Sequence, residues 1–521
     1  MIVSVSVAGD GLLHDQTAAM IALREDRTDE RLLAGDATLW GSEAEAEAAV
    51  RLGWLTAPEA SWSFVPELLA LRDALRAEGV TRVVLCGMGG SSLAPEVICK
   101  NAGVPLEVLD STHPDHVRAV VEQDLTNTVV VVASKSGGTV ETDSQRRAFV
   151  AAFTAAGIDA ASRIVVVTDP GSPFAKLAAD EGYRAVFLAD PYVGGRYSAL
   201  TAFGLVPSAL AGADIELLLD QAASLKPRLA GDDNPGLQLG AALGADRRDK
   251  IILSSEALPG FGDWAEQLIA ESTGKHGSGL LPVVVEPGAP EAQDPASDVH
   301  VVSIGGTAPA LGTLVEGNLG QQLLLWEYAT AVSGRLLGIN PFDQPDVESA
   351  KIAARGLLDA QPEPATPVFT DGPVQVFATD GLLQGESTVL GAVQALLSAV
   401  PENGYLAVMA YLDRLRDGQV AEVRAPLART LGRPVTFGWG PRFLHSTGQY
   451  HKGGPPIGAF LQITGLVRHD VPVPDRPFTF GTLIAAQAAG DAQVLADHGR
   501  PVLRLHVQDP VGLAKVLQVL Q

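Results

Sequence analysis

The sequence predicts an α/β protein of two lobes, each a parallel sheet flanked by helices, with a C-terminal α/β appendage behind them. Three observations carry this reading. Short Val- and Ile-rich runs alternate with helical stretches from residue 82 onward, a second such block opens at residue 250, and a proline-rich stretch, 359–373, sets off the C-terminal third of the chain. Near-continuously apolar strands spaced by helices are the pattern of a parallel sheet covered on both faces. At 521 residues the chain is also too long for one ordinary domain.

Residues 1–60 read as a mixed helical extension, clearest in the Ala/Glu-rich run 42–51. An amphipathic helix over 66–78 leads into a strand at 82–86, with further strands expected at 106–109, 128–133, 163–168 and 185–188. Together with a long helical stretch, about 199–225, they form a first lobe, 61–225. The second lobe, 226–374, has strands at 250–254, 281–285 and 301–304, then helices over 311–337 and 346–358. Prolines at 362, 364, 367 and 373 make 359–373 the linker. The appendage, 375–521, is expected to hold helices at 386–399, 406–417 and 510–520, and strands near 435–437 and 460–463.

Composition narrows the function. Hydrophobic residues make up 46% of the chain and charged ones 19%, which suits a large core. No apolar run of about 18 residues escapes charges or breakers, and the N-terminal stretch lacks a basic start before an apolar core. Neither a membrane span nor secretion is expected. Cys86 and Cys99 offer no disulfide framework, which suits a reducing cytoplasm. A net charge of −24 argues against nucleic acid or a membrane surface as partner. An anionic ligand would have to be held by local donors against that field.

Two loops offer such donors. GMGGSSLAP (87–95) follows a strand and opens a helix, so free N–H groups and the positive end of a helix dipole meet at one point. Its glycines, Gly90 among them, let backbone approach an anion, and Ser91 adds a hydroxyl. Alone, this loop reads equally well as a tight turn. Asp110, at the end of the next strand, keeps a dinucleotide site in play, although Ser92 stands where the third fingerprint glycine belongs. SKSGGTVET (134–142) shifts the balance: Ser134, Lys135, Ser136 and Thr139 crowd around a glycine pair after another apolar strand. Such donors suit the several oxygens of a phosphomonoester. The competing explanation is capping of the next helix by the threonines.

Other residues supply chemistry. In VGGRYS a glycine pair precedes Arg196, a cation that never loses its charge beside a developing oxyanion. In DWAEQLIAESTGK, Gln267 and Glu271 stand four apart on one helical face, and a glutamate on the last turn can serve as a base. NPFDQPDVESAK starts another helix, with Gln344 and Lys351 two turns apart on one face. RFLHSTGQYHKGGPP holds His445 and His451 without the acidic or cysteine companions of a metal site.

Five of these motifs, GMGGSSLAP, SKSGGTVET, VGGRYS, ESTGK and NPFDQPDVESAK, in this order and spacing, resemble those of the phosphoglucose isomerases. DATLWGSE, RLGWL and HSTGQYHKGGP further resemble the isomerase portion of fused transaldolase–phosphoglucose isomerase proteins, although the 60 residues before the first lobe are too few for a transaldolase barrel. The resemblance covers about residues 60–360 and implies two sugar-isomerase (SIS-type) lobes. It implies reversible interconversion of glucose 6-phosphate and fructose 6-phosphate through an enediol, with no cofactor or metal, in a cytoplasmic homodimer. Two alternatives stand beside this: an isomerase that also takes mannose 6-phosphate, and a non-catalytic sugar-phosphate sensor. By the resemblance, Ser91, Ser134, Lys135, Ser136 and Thr139 grip the phosphate, with Gln267 and Gln344 lining the same pocket. Arg196 stabilises the enediolate, Glu271 moves the proton between C1 and C2, and Lys351 assists at the ring oxygen. The ring-opening histidine of the family lies between the ESTGK-like and NPFDQ-like motifs, in a Gly-Gln-His context. That interval holds only His276 and His300 here, so STGQYH is the nearest echo and His451 is assigned the role, with His445 and His276 as alternatives.

Overall fold

The computed structural model describes residues 3–245, 248–360 and 365–521, leaving aside the side chains of 347–351 and 359–360. The chain opens on a strand, β1 (Ser4–Ala8). The first lobe's sheet then comprises β2 (Arg82–Cys86), β3 (Glu107–Leu109), β4 (Thr128–Ala133), β5 (Ile164–Thr168) and β6 (Ala185–Leu188). All run parallel in the order β3-β2-β4-β5-β6. Every residue of β4 is buried, which is why TVVVVA shows no alternation.

The second lobe contributes β7 (Lys250–Ser254), β8 (Leu281–Val284), β9 (Val299–Ile304) and β10 (Gly312–Glu316). Its parallel order is β8-β7-β9-β10, and β1 pairs antiparallel along the β10 edge. The opening residues are therefore not purely helical: SVSVA closes an edge some 300 residues away, as the pairing of Ser4 with Glu316 shows, a partnership no local pattern announces.

Residues 369–507 form a third sheet from β11 (Phe369–Asp371), β12 (Val374–Ala378), β13 (Tyr405–Tyr411), β14 (Val435–Trp439), β15 (Gly458–Gly465) and β16 (Val502–Val507). Here β14-β13-β15-β16 run parallel, and β12 then β11 follow antiparallel. Counted from each sheet's first parallel strand, all three share the order 2-1-3-4.

Several expectations change. The helix expected at 406–417 is instead β13, a central strand buried at every position. Leu, Ala and Met favour helix, but burial on both faces decides, and an apolar run carries no period that separates the two. The stretch 311–337 divides into β10 and a helix, Leu319–Leu337, that begins after Gly317 with an Asn318 capping box. The stretch 199–225 divides at Gly212 into the helices Ala202–Ala211 and Ile215–Leu229. Of the linker 359–373, residues 361–364 lie outside the described residues and 369–371 form β11.

Residues 375–521 are less an appendage than a third body wedged into both lobes. One apolar cluster joins Ile252, Val283 and Val301 of the second lobe to Tyr405, Met409, Phe460 and Ile484. Another joins Val132 and Phe149 of the first lobe to Val473 and Phe480.

Candidate active site

A doubly wound sheet binds ligands beyond the carboxyl ends of its strands, where the winding direction reverses. In the first lobe that point lies between β2 and β4, and the two phosphate-loop candidates leave those two strands. The helices behind them, Leu93–Ala102 and Val140–Ala155, both start without a side-chain cap. Ser92 Oγ turns instead to Gly89 O at 3.2 Å. Ser134 Oγ accepts from the Gly137 amide at 3.1 Å and lies 3.4 Å from Thr139 Oγ1, while Ser136 Oγ accepts from the Gly138 amide at 3.2 Å. By contrast, the helices after β3 and β5 in the same sheet are capped by His113 and Ser172. The side chains at the switch point thus fold the loops and leave the helix-start amides to an anion.

Close backbone approach ties the first loop to its neighbours. A Cβ at Gly90 would fall 2.0 Å from Gly195 O. At Gly89, whose φ is +56°, it would meet Gln267 Nε2 at 2.7 Å and His445 O at 2.9 Å. Ser91 sits half-buried on this turn. Lys135 does not reach into open space: its Nζ donates to Val193 O at 2.6 Å and pairs with Asp169 at 3.1 Å, tying the second loop to the VGGRYS segment.

The helix Phe261–Thr273 brings Gln267 and Glu271 to the same place, both buried, with Gln267 Nε2 3.4 Å from Glu271 Oε1. Arg196 is 3% exposed and faces that carboxylate, Nη1 to Glu271 Oε2 being 3.5 Å. Its remaining donors are committed: Nε to Ser272 Oγ at 2.9 Å, Nη1 to Gln344 Oε1 at 3.1 Å, Nη2 to Pro341 O and Asp343 O at 2.7 and 2.9 Å. Lys275 holds the same NPFD turn through Asn340 O, Asp343 O and Asp343 Oδ1 at 2.7, 2.7 and 2.6 Å. Burial, followed by the nearby Arg196 charge, lowers its pKa to about 8. Lys351 lies on the helix Pro345–Ala360, but its side chain falls outside the described residues.

The histidines of the sequence reading sit in different surroundings. His451 is 2% exposed and faces away from the loops, its Nδ1 2.9 Å from Tyr405 Oη, stacked on Tyr405 and edged by Phe460. Burial pushes its pKa well below the ordinary histidine value. A short helix, Gly448–Gly453, carries that buried side chain. His276 sits exposed on a turn at φ +55°. His445 lies against the first loop and the helix behind the second. Its carbonyl accepts from Gln267 Nε2 at 2.9 Å and its Nε2 lies 3.2 Å from Glu141 Oε1.

Glu141 was missed in the motif, hidden as an ordinary acidic residue of a first helical turn, the one signal available being its place in SKSGGTVET. It is 5% exposed and accepts from Gln487 Nε2 at 2.7 Å, and Gln487 Oε1 accepts from Thr112 Oγ1 at 2.7 Å. Nothing in the sequence marks Gln487. Asp110, which kept a dinucleotide site in play, is committed to Arg442 at 2.6 Å and Arg414 at 3.0 Å. His113, Asp115 and Asp413 cluster at metal-ligand distances, but Asp115 already pairs with Arg118 and Arg416.

The fold defines the class: a two-lobed sugar-isomerase (SIS-type) architecture, here with two glycine-rich loops at the first switch point. A glucose-6-phosphate isomerase from Chlamydia trachomatis superposes with a TM-score of 0.56 at 20% identity, covering 69% of this chain and 89% of its own. A hypothetical protein from Thermus thermophilus reaches 0.59 at 24% identity, covering 68% and 100%. Residues 74–230 match the phosphoglucose isomerase family. The glucose-6-phosphate isomerase of Rubrobacter xylanophilus is 30% identical over 364 residues, 54% of this chain and 84% of that protein. The probable glucose-6-phosphate isomerase of Natronomonas pharaonis is 31% identical over 350 residues, 56% and 82%. That of a Cyanothece species is 34% identical over 212 residues, but these span only 40% of its length. The chain belongs to the phosphoglucose isomerase family.

Proposed function

We propose that this chain interconverts glucose 6-phosphate and fructose 6-phosphate through an enediol intermediate. The carrying observation is the Glu271–Arg196 pair, 3.5 Å apart, beside two uncapped helix starts. The phosphate does not react; held by the amides with Ser91, Ser134, Ser136 and Thr139, it fixes the carbon skeleton over Glu271. His445 opens the ring, passing a proton to the ring oxygen while the anomeric hydroxyl loses one. Glu271 then takes the C2 proton and returns it to C1, and Arg196 stabilises the negative charge on the enediolate oxygen. Lys135 anchors the loop, and Lys351 keeps the ring-oxygen role that the resemblance implies.

Family membership and the charged pair favour an enzyme over a sensor, which would need neither base nor arginine. Mannose 6-phosphate yields the same enediol, so it forms one arm of the assay. Among the described residues no helix is long and apolar enough to cross a membrane. A cytoplasmic homodimer is the proposed setting, checked by fractionation and by sedimentation of the purified chain.

The test is turnover of all three sugar phosphates by wild type and by Glu271→Gln. The variant is expected to bind the sugar phosphate by calorimetry and to lose about 10³-fold or more in kcat. Near-normal turnover would remove Glu271 from the mechanism, and inactivity of wild type on every substrate would sink the catalytic reading.

A further inference from the structure

We propose that Gln449, in the HSTGQYHKGGP motif of the third body, is a positioning residue for the isomerisation: its carboxamide sets the end of the Glu271 helix against the start of the helix that follows Gln344. The inference rests on the isomerase reading above. With His451 enclosed by Tyr405 and Phe460, the second half of that motif has no task at the sugar itself.

Two helix ends meet at Gln449. The helix Phe261–Thr273, whose last turn carries Glu271, stops at Gly274. The helix Pro345–Ala360, which carries Lys351, opens with a proline that has no N–H, then Asp346. One end presents a carbonyl and the other an N–H, each without a partner inside its own helix. Gln449 is fully buried and serves both: Nε2 donates to Gly274 O at 2.9 Å, and Oε1 accepts from the Asp346 amide at 3.0 Å. Nε2 also donates to Asp346 Oδ2 at 2.7 Å. A carboxamide brings two donors and an acceptor in one plane; a carboxylate brings no donor, and an apolar side chain brings neither.

The surrounding backbone is shaped for this bridge. A Cβ at Gly274 would fall 2.5 Å from Tyr450 Cα, and one at Gly453 would fall 2.8 Å from Gly274 O and against the Asp346 carboxylate. Gly277 N donates to Gly453 O at 2.8 Å, a second tie between the same segments. Lys452 pairs with Asp491 at 2.6 Å within the third body, and Ser446 donates to Glu266 at 2.8 Å across the seam with the second lobe.

The bridge bears on the reacting groups. Asp346 follows Gln344 by two residues, and Gln344 Oε1 accepts from Arg196 Nη1 at 3.1 Å. Glu271 stands three residues before Gly274. The bonds of Gln449 described above go to the second lobe, whereas the two glycine-rich loops leave β2 and β4 of the first. Losing the bridge should therefore disturb proton transfer and spare the grip on the phosphate.

Gln449→Met keeps the side-chain length and removes these hydrogen bonds. Its kcat on glucose 6-phosphate is expected to fall about 10²-fold, as for a catalytic group displaced by about 1 Å, with KM within about twofold of wild type. Deuterium at C2 of the substrate should slow this variant more than it slows wild type, because proton transfer has become the slow step. A mere loss of folded enzyme leaves that isotope ratio unchanged. Gly453→Ala, which presses on Asp346 and Gly274 from the neighbouring turn, should show the same pair of effects and decides the matter if Gln449→Met does not fold. Unchanged kcat, a fall in kcat at the wild-type isotope ratio, or a rise in KM alone overturns the inference and spares the isomerase reading. Wild type inert towards glucose 6-phosphate would instead sink the isomerase reading on which it rests.

Discussion

The first lobe and the third body share a strand order, yet their switch points do opposite work. Between β2 and β4 the loops are mostly Gly, Ser and Thr with one lysine, and the helix starts carry no side-chain cap. Between β13 and β15 the equivalent loops are filled with charge. Arg414 donates to Val108 O at 3.0 Å and pairs with Asp110, and Arg416 pairs with Asp115 at 2.7 Å, all on the first lobe. From the facing side, Arg118 donates to His469 O at 3.2 Å. The winding of the sheet produces a crevice each time; side chains determine whether it takes a ligand or a neighbouring domain.

That contrast can be broken from either side. On the open side the larger effect is expected from Gly90→Ala, because the new methyl would fall 2.0 Å from Gly195 O and force the first loop off the VGGRYS segment. Activity should drop by about 10²-fold, as expected when a catalytic geometry shifts by about 1 Å; an active Gly90→Ala would mean the two loops need not touch. Next, Ser134→Ala alone should raise KM about tenfold, since one hydrogen bond to a charged group is worth about 1.5 kcal/mol or more. Steady-state kinetics read this directly.

On the filled side, Arg414→Ala should leave kcat alone and lower stability by about 1–3 kcal/mol in urea titration, the cost of an unsatisfied buried partner. A fall in kcat without loss of stability would mean the second crevice is functional. The smallest effect concerns the seam at Glu266, whose pKa burial, and then the neighbouring Asp263, raise from 4.5 to about 8. A folded-state value above the unfolded one makes stability highest below pH 4.5 and falling as pH climbs to about 8. Glu266→Gln should flatten that slope in a melting-temperature series.

Features encoded within a few residues were legible. The apolar β4 and the glycine- and serine-rich loops after β2 and β4 depend on their own neighbourhood, so the first lobe could be read closely. So could the spacing of Gln267 and Glu271, which one helical turn fixes. What depended on distant contacts was not legible. β1 finds its partner at Val315 and Leu314, and β13 is a strand because β14 and β15 flank it. His445 and His451 are six residues apart in one motif. Which of them faces the loops is set by Tyr405 and Phe460 enclosing one, and by Gln267 and Glu141 receiving the other.

The position of β16 has a consequence for the life history of the molecule. Val502–Val507 lies between β12 and β15, inside the third sheet. Until the ribosome has released that strand, the sheet is split in two and the body bearing His445 cannot settle. A growing chain therefore completes its two glycine-rich loops hundreds of residues before the body that carries His445 can settle against them.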